Sequence, residues 1–319
     1  MYIAPMAAGD VILLFLTFPF DFKTNLPINV GGAVCLDYTP QDVLRHADPS
    51  GLADFVLPGY SVVPGLVNCC LRKPVSNALP EGMAVSDAMF LSLAALRLIA
   101  PLGIEIAGQF ELTHEKERIG SPKLYLLRSP WQPKSGNAHK YSATTVRRAC
   151  RVANRIIALR DAKRLMSAQV LFTQVTLGMT SSLQLATMGL FAALEALFVP
   201  KGKIARELAK RTANFLSPVG FPVEITSWLE DEYIHRRNSL AHGIQDILAW
   251  RWKAVDPEKH VAFGRLHELV RFSLLGFLSL PDEVIQNHSS LTGPGLQGFL
   301  DGLIPVDGEF SGRQKAWCE

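Results

Sequence analysis

The sequence predicts an α+β domain followed by an all-α helical bundle, and three observations carry that prediction. Apolar runs rich in Val, Ile, Leu and Phe, punctuated by Pro, Gly and Asp, fill the first 140 residues. From Ala143 to Pro281 the apolar residues recur at helical spacing instead. A polar loop, residues 129–142 (SPWQPKSGNAHKYS), lies where the character of the chain changes. The spacing places a mixed α+β domain at 1–140, a helical bundle at 141–282 and an acidic tail at 283–319. A length of 319 residues fits two domains, and a hydrophobic content of 48% supplies a sizeable core.

In order along the first domain, DVILLFLTFPFDF and INVGGAVCLDY read as strands bounded by turn residues. VSDAMFLSLAALRLIAPLG (85–103) reads as a helix, with Ser86 or Asp87 as its cap and Pro101 helping to end it. GIEIAGQFELTHE (103–115) alternates as a strand does, and KLYLLRSPW is a further strand. In the second domain, residues 143–175 form one long helix or two abutting ones. SSLQLATMGLFAALEALF is a central apolar helix that closes at Pro200. KIARELAKRTANFL is amphipathic, with Ile204, Leu208 and Phe215 on one side. EITSWLEDEYIHRRNSLAHG and EKHVAFGRLHELVRFSLLGFLSLP complete the bundle. The short connections imply antiparallel neighbours.

Composition removes several function classes. The apolar run at 11–20 is too short to span a bilayer, and 181–199 carries Gln184 and Glu195, so both read as core. The N-terminus lacks the basic region and cleavage site of a signal peptide. Five cysteines (35, 69, 70, 150 and 318), odd in number and without a CxxC pair, point away from a disulfide framework and a zinc site and toward a reducing cytoplasm. His114, His139, His260, His267 and His288 show no metal-ligand spacing, so no metal and no cofactor is expected. The phosphate-binding loop, dinucleotide and serine-hydrolase motifs are absent from the sequence. Charge is uneven: residues 141–281 hold 19 Lys/Arg against 11 Asp/Glu, and the segment 282–319 holds 2 against 6. A basic middle suits a phosphate-bearing partner. Arg147, Arg148, Arg151 and Arg155 recur along the first helix there and are candidate RNA contacts, while Trp131 is a candidate base-stacking residue.

The segment EDEYIHRRNSLAHG concentrates the reactive side chains. At about 100° per residue Leu229, Tyr233 and Leu240 form an inward stripe; Arg236 falls in the same sector and Arg237 at its edge. Asn238 and His242 stand four apart, so the amide can orient the imidazole. His242 precedes Gly243, and a helix C-terminus favours the imidazolium. An arginine fork and a tunable histidine suffice to cleave RNA without a metal: the histidine moves a proton, and the arginine stabilises charge on the phosphate. One histidine does not readily serve as both acid and base, which points to a composite site across a symmetric dimer.

RNSLAH (237–242) resembles the Arg-x4-His signature of HEPN domains, including the polar residue after the arginine. ALEALF (193–198), ARELAKRTANFL (205–216) and RLHELVRFSLL, in that order over about 145–280, resemble the Apea-like HEPN branch. The resemblance implies a dimerising helical bundle and, in active members, a metal-independent endoribonuclease. Arg237 would then bind the phosphate, His242 would be the acid/base and Asn238 would position them. Glu195, at the family's recurring helix glutamate, would brace an arginine. Arg236 followed by five residues and His242 fits the broader pattern too; Asn238 after Arg237 favours Arg237.

The expected function is an HEPN-type endoribonuclease, in phage defence or a toxin-like response, regulated by its N-terminal domain. The alternative is a non-catalytic HEPN module that binds RNA or dimerises, with the N-terminal domain as the recognition part. The expected partners are RNA and a second copy of the chain, with no membrane.

Overall fold

A computed structural model of the chain describes residues 7–18, 20–21, 25–39, 69–101, 104–112, 119–128, 140–177, 182–199, 205–221, 224–238, 241 and 257–303. Two compact units emerge, Met1–Ile157 with Leu177–Met179, and Ala158–Thr176 with Thr180–Glu319.

The first unit holds an antiparallel sheet of order β2-β3-β4-β1-β5-β6. Its strands are β1 (Val11–Thr17), β2 (Ile28–Gly31), β3 (Val34–Tyr38), β4 (Cys69–Lys73), β5 (Glu105–Leu112) and β6 (Ile119–Arg128). Cys69, Cys70, Leu71 and Arg72 are all buried, so β4 is covered on both faces. Helix α1 (Val85–Ile99) packs on β3 and β4 through Ala88, Met89 and Leu93 among others. It begins before the expected caps: Ala84 holds the cap position, and no side chain caps it. The long helical stretch resolves into two helices, α2 (Ala143–Ala158) and α3 (Lys163–Thr176).

Helix α2 belongs to the first unit, so the units divide at Ile157 rather than near residue 140. The cause is the hairpin between β2 and β3. A Cβ at Gly31 would stand 2.7 Å from the Cβ of Ala153 and 3.1 Å from the carbonyl oxygen of Cys150, so glycine lets the helix lie against the strand. Asn154 Oδ1 then accepts from the Gly32 amide at 3.3 Å. At the other end of α2, Tyr141 stacks on Phe18 (centroids 5.1 Å apart) and donates to the Ala100 carbonyl at 2.9 Å.

The turn of that hairpin places both Gly32 (φ +57°) and Ala33 (φ +69°) in the left-handed region. A type I′ two-residue turn requires this of both central residues. For an alanine it costs roughly 1–2 kcal/mol. Ala33→Gly is therefore expected to stabilise the protein by about 0.5–1 kcal/mol, once glycine's looser unfolded chain is counted. Urea denaturation checks this; a destabilised variant would refute it.

Strands β3 and β4, with the residue just before β1, bury an ion triad. Arg72 Nη1 lies 3.2 Å from Asp10 Oδ2, and its Nε lies 3.2 Å from Asp37 Oδ2. Asp10 also accepts the amides of Ala7 (3.0 Å) and Val75 (2.8 Å). Burial raises the Asp37 carboxyl above its ordinary pKa, against the Tyr38 amide and Arg72, which hold it down.

The second unit is mostly helical: α3, α4 (Leu183–Phe198), α5 (Ala205–Leu216), α6 (Ile225–Glu232), a π-helical turn Tyr233–Asn238, α7 (Pro257–Ser279), α8 (Asp282–Ser290) and α9 (Gly293–Asp301). Helix α4 lies against α3, α5 and α7. Phe198, Phe215 and Phe277 meet at centroid distances of 4.8–5.6 Å. Gly276 makes room for that cluster, since a Cβ there would lie 2.6 Å from the Phe215 ring.

The end of α4 has no glycine cap, and its last carbonyls are taken by side chains instead. Arg164 Nη1 donates to Ala196 (3.3 Å) and Val199 (3.4 Å), Arg211 Nη1 donates to Phe198 (2.9 Å), and His288 Nε2–H donates to Leu197 (2.8 Å). His288 comes from α8, and Arg211 is itself paired with Asp301 of α9 at 2.9 Å. The segment read as an acidic tail is thus, over 282–303, part of the packed unit. Ile285, His288, Leu296 and Leu300 are buried. Its net charge concealed two short helices with only a few apolar positions each.

Burial pushes the His288 imidazole down to about 4, against its bond to Leu197, so it is neutral in the folded protein. As pH falls from the ordinary 6.5 toward 4, the unfolded chain takes up a proton that the folded chain refuses. Stability should then fall by up to about 1.4 kcal/mol per pH unit across that window. His288→Gln keeps a donor and removes the titration, so the gap between the two proteins should change between pH 6.5 and pH 5. Parallel pH profiles would sink this assignment.

Candidate active site

The charged segment between α6 and residue 238 is a π-helix, not the α-helix its spacing implies. A π-turn holds roughly 4.4 residues, so each residue advances about 82° rather than about 100°. Measured from Leu229, this moves Arg237 from roughly 80° to about 10° and Arg236 from about 20° to roughly 75°. The π-turn exchanges which of the adjacent arginines faces inward, and it is the favoured Arg237 that does. Arg237 reaches across to α4, while Arg236 Nε stays on its own helix, 2.8 Å from Glu232 Oε2.

Arg237 meets Glu195 edge-on: Nε donates to Oε1 at 3.0 Å and Nη2 to Oε2 at 3.4 Å. Tyr233 donates its hydroxyl to the same Oε1 at 2.9 Å, and the Arg237 guanidinium sits 5.2 Å from the centre of the Tyr233 ring. Phe191 of α4 packs edge-on against that ring at 5.4 Å, which fixes it. Burial, then the hydrogen bond to Glu195 and its charge, push the Tyr233 phenol up to about 12, so it remains a donor. Glu232 is raised by burial and held down by Arg236 and Arg265.

This is a braced arginine at a partly open corner: Arg237 is 30% exposed and Glu195 27%. The edge held by Glu195 uses Nε and one Nη2 proton. The opposite Nη1/Nη2 edge has no protein partner among the described residues. That edge is the fork that takes two oxygens of a phosphate or carboxylate.

Compared with protein-family models, curated proteins and solved structures, the chain matches none.

The site residues expected from sequence divide as follows. Arg237 and Glu195 are brought together, and Asn238 is half-buried at the end of the same π-turn. Arg236 is directed to Glu232 instead. Arg147, Arg148 and Arg151 lie on α2, in the first unit. His242, Gly243, Leu240 and Trp131 lie outside the described residues. Tyr233 was read only as a core residue; its hydroxyl, on an inward stripe one turn before Arg237, was the signal of a polar partner on α4. Among the described residues no three His, Cys, Asp or Glu side chains gather as metal ligands, and no helix is long and apolar enough to cross a membrane.

Proposed function

We propose that the chain is an HEPN-type, metal-independent endoribonuclease. Arg237 would hold the scissile phosphate and His242 would move the proton. The observation that carries this reading is the edge-on brace: Glu195 and Tyr233 fix Arg237, whose other guanidinium edge has no partner among the described residues. Preorganised donors of this kind stabilise developing charge without reorganising during the reaction.

In the reaction, the ribose 2′-oxygen attacks phosphorus and gives its proton to a base. The P–O5′ bond breaks, and the leaving 5′-oxygen takes a proton from an acid. The products are a 2′,3′-cyclic phosphate and a 5′-hydroxyl. Arg237 neutralises charge on the non-bridging oxygens, and Asn238 positions the pair. His242 serves as base or acid, with a second copy of the chain completing the site in a symmetric dimer.

The second reading is a non-catalytic module that binds RNA or dimerises. The Glu195 pair favours it in one respect, because a carboxylate beside Arg237 offsets part of its charge. The deciding experiment treats RNA with wild type and His242→Ala in EDTA and identifies the cleaved ends. Cyclic-phosphate ends from wild type, lost in His242→Ala, are expected. Equal cutting by both proteins, or RNA bound but never cut, would replace the nuclease with the binding module.

A further inference from the structure

We infer that the outward face of α2, centred on Arg147 and Arg151, is a phosphate-binding surface that captures single-stranded RNA. This deepens the nuclease reading and rests on it for the nature of the ligand. It places capture on a different compact unit from Arg237.

One side of α2 is already committed. Val146, Ala149, Val152, Ala153 and Ile156 are buried, and the helix is pressed against Gly31 and Gly32 of the β2–β3 hairpin. A helix whose apolar side is occupied cannot lay that side into a bilayer, so an anionic membrane surface is the poorer match. The other side exposes Thr144, Arg147, Arg151 and Asn154, with half-buried Arg148 and Arg155 beside them. All four cations of α2 are arginines, and Ala143–Ala158 contains no Asp or Glu.

The spacing suits a polymer. Arg147, Arg151 and Arg155 repeat every four residues, and each step advances about 6 Å along the axis. Charge that repeats at a fixed interval along a strand meets such a row in register, which the scattered carboxylates of an acidic protein do not. Arginine forks pair with phosphate oxygens two at a time, where lysine is a point charge.

The test uses the full chain and a fluorescent 2′-O-methyl RNA oligonucleotide, which lacks the attacking hydroxyl and so reports binding without cutting. Anisotropy titrations at several salt concentrations compare wild type, Arg147→Ala/Arg151→Ala, Arg147→Lys/Arg151→Lys and Arg237→Ala. The alanine pair should bind at least about tenfold more weakly near 0.1 M salt, with the slope of log K against log salt smaller by about 1.4, as two lost phosphate contacts on a single strand require. The lysine pair should keep the wild-type slope. Unchanged affinity and slope in the alanine pair would overturn the inference while leaving the nuclease to its own cutting assay, as would no binding by wild type. Binding to phosphatidylserine vesicles that depends on these arginines, with RNA binding unaffected, would also overturn it, in favour of a membrane surface.

Discussion

Arg237→Ala is expected to slow RNA cleavage at saturating RNA by about 10²–10³-fold, roughly the 2.7–4 kcal/mol carried by one preorganised donor at a developing oxyanion. Arg236→Ala should stay within a few-fold of wild type. The two residues are adjacent, both cationic, and both compatible with the sequence pattern, so the contrast isolates orientation. In an α-helix Arg236 would face inward; the π-turn directs Arg237 to Glu195 and leaves Arg236 with Glu232. Arg237→Lys should recover little, because an ammonium cannot hold Glu195 with one edge and a phosphate with the other. Single-turnover rates decide it. Equal losses at the two positions would remove the register argument, and a loss at Arg236 alone would reassign the phosphate contact.

The largest effect on stability is expected at Arg72. Arg72→Met should destabilise the first unit by about 3–5 kcal/mol, since removing one partner strands the buried carboxylates it serves. That is a large share of the roughly 5–15 kcal/mol that holds a domain together. Asp10 is almost fully buried and Asp37 nearly so, and burial already lifts Asp37 above its ordinary range. Adding Asp10→Asn and Asp37→Asn to Arg72→Met should recover part of the loss, because the cost lies in uncompensated charge rather than in volume. Urea denaturation of the three proteins measures it. A loss under about 1 kcal/mol for Arg72→Met would mean that water reaches the carboxylates.

Much of this molecule was legible from residue spacing, and what was not has identifiable causes. Most strands and helices followed from apolar periodicity, because burial imposes period 2 on a half-covered strand and 3.6 on a helix; β4, α8 and α9 did not. The partner of Glu195 was narrowed to two arginines but not decided. A π-turn changes hydrogen-bond register without changing composition, and Glu195 lies 42 residues before Arg237. The allegiance of α2 was hidden for a similar reason: its amphipathic pattern predicts a buried face but not which core receives it. Gly31 and Gly32 decide that from more than 100 residues away. The triad joins Asp37 of β3, Arg72 of β4 and Asp10 just before β1, and no local spacing announces it.

The clamp on the end of α4 makes residues 282–301 a remote support of the corner that holds Glu195 and Arg237. Glu195 stands one residue before the first of the four carbonyls that Arg164, His288 and Arg211 hold, and Asp301 steadies Arg211. A chain stopped at residue 281 would keep every proposed catalytic side chain and still lose the His288 and Asp301 anchors behind Glu195. Truncations or proteolytic nicks within 282–301 should therefore loosen the brace on Arg237 without removing any side chain of the proposed site.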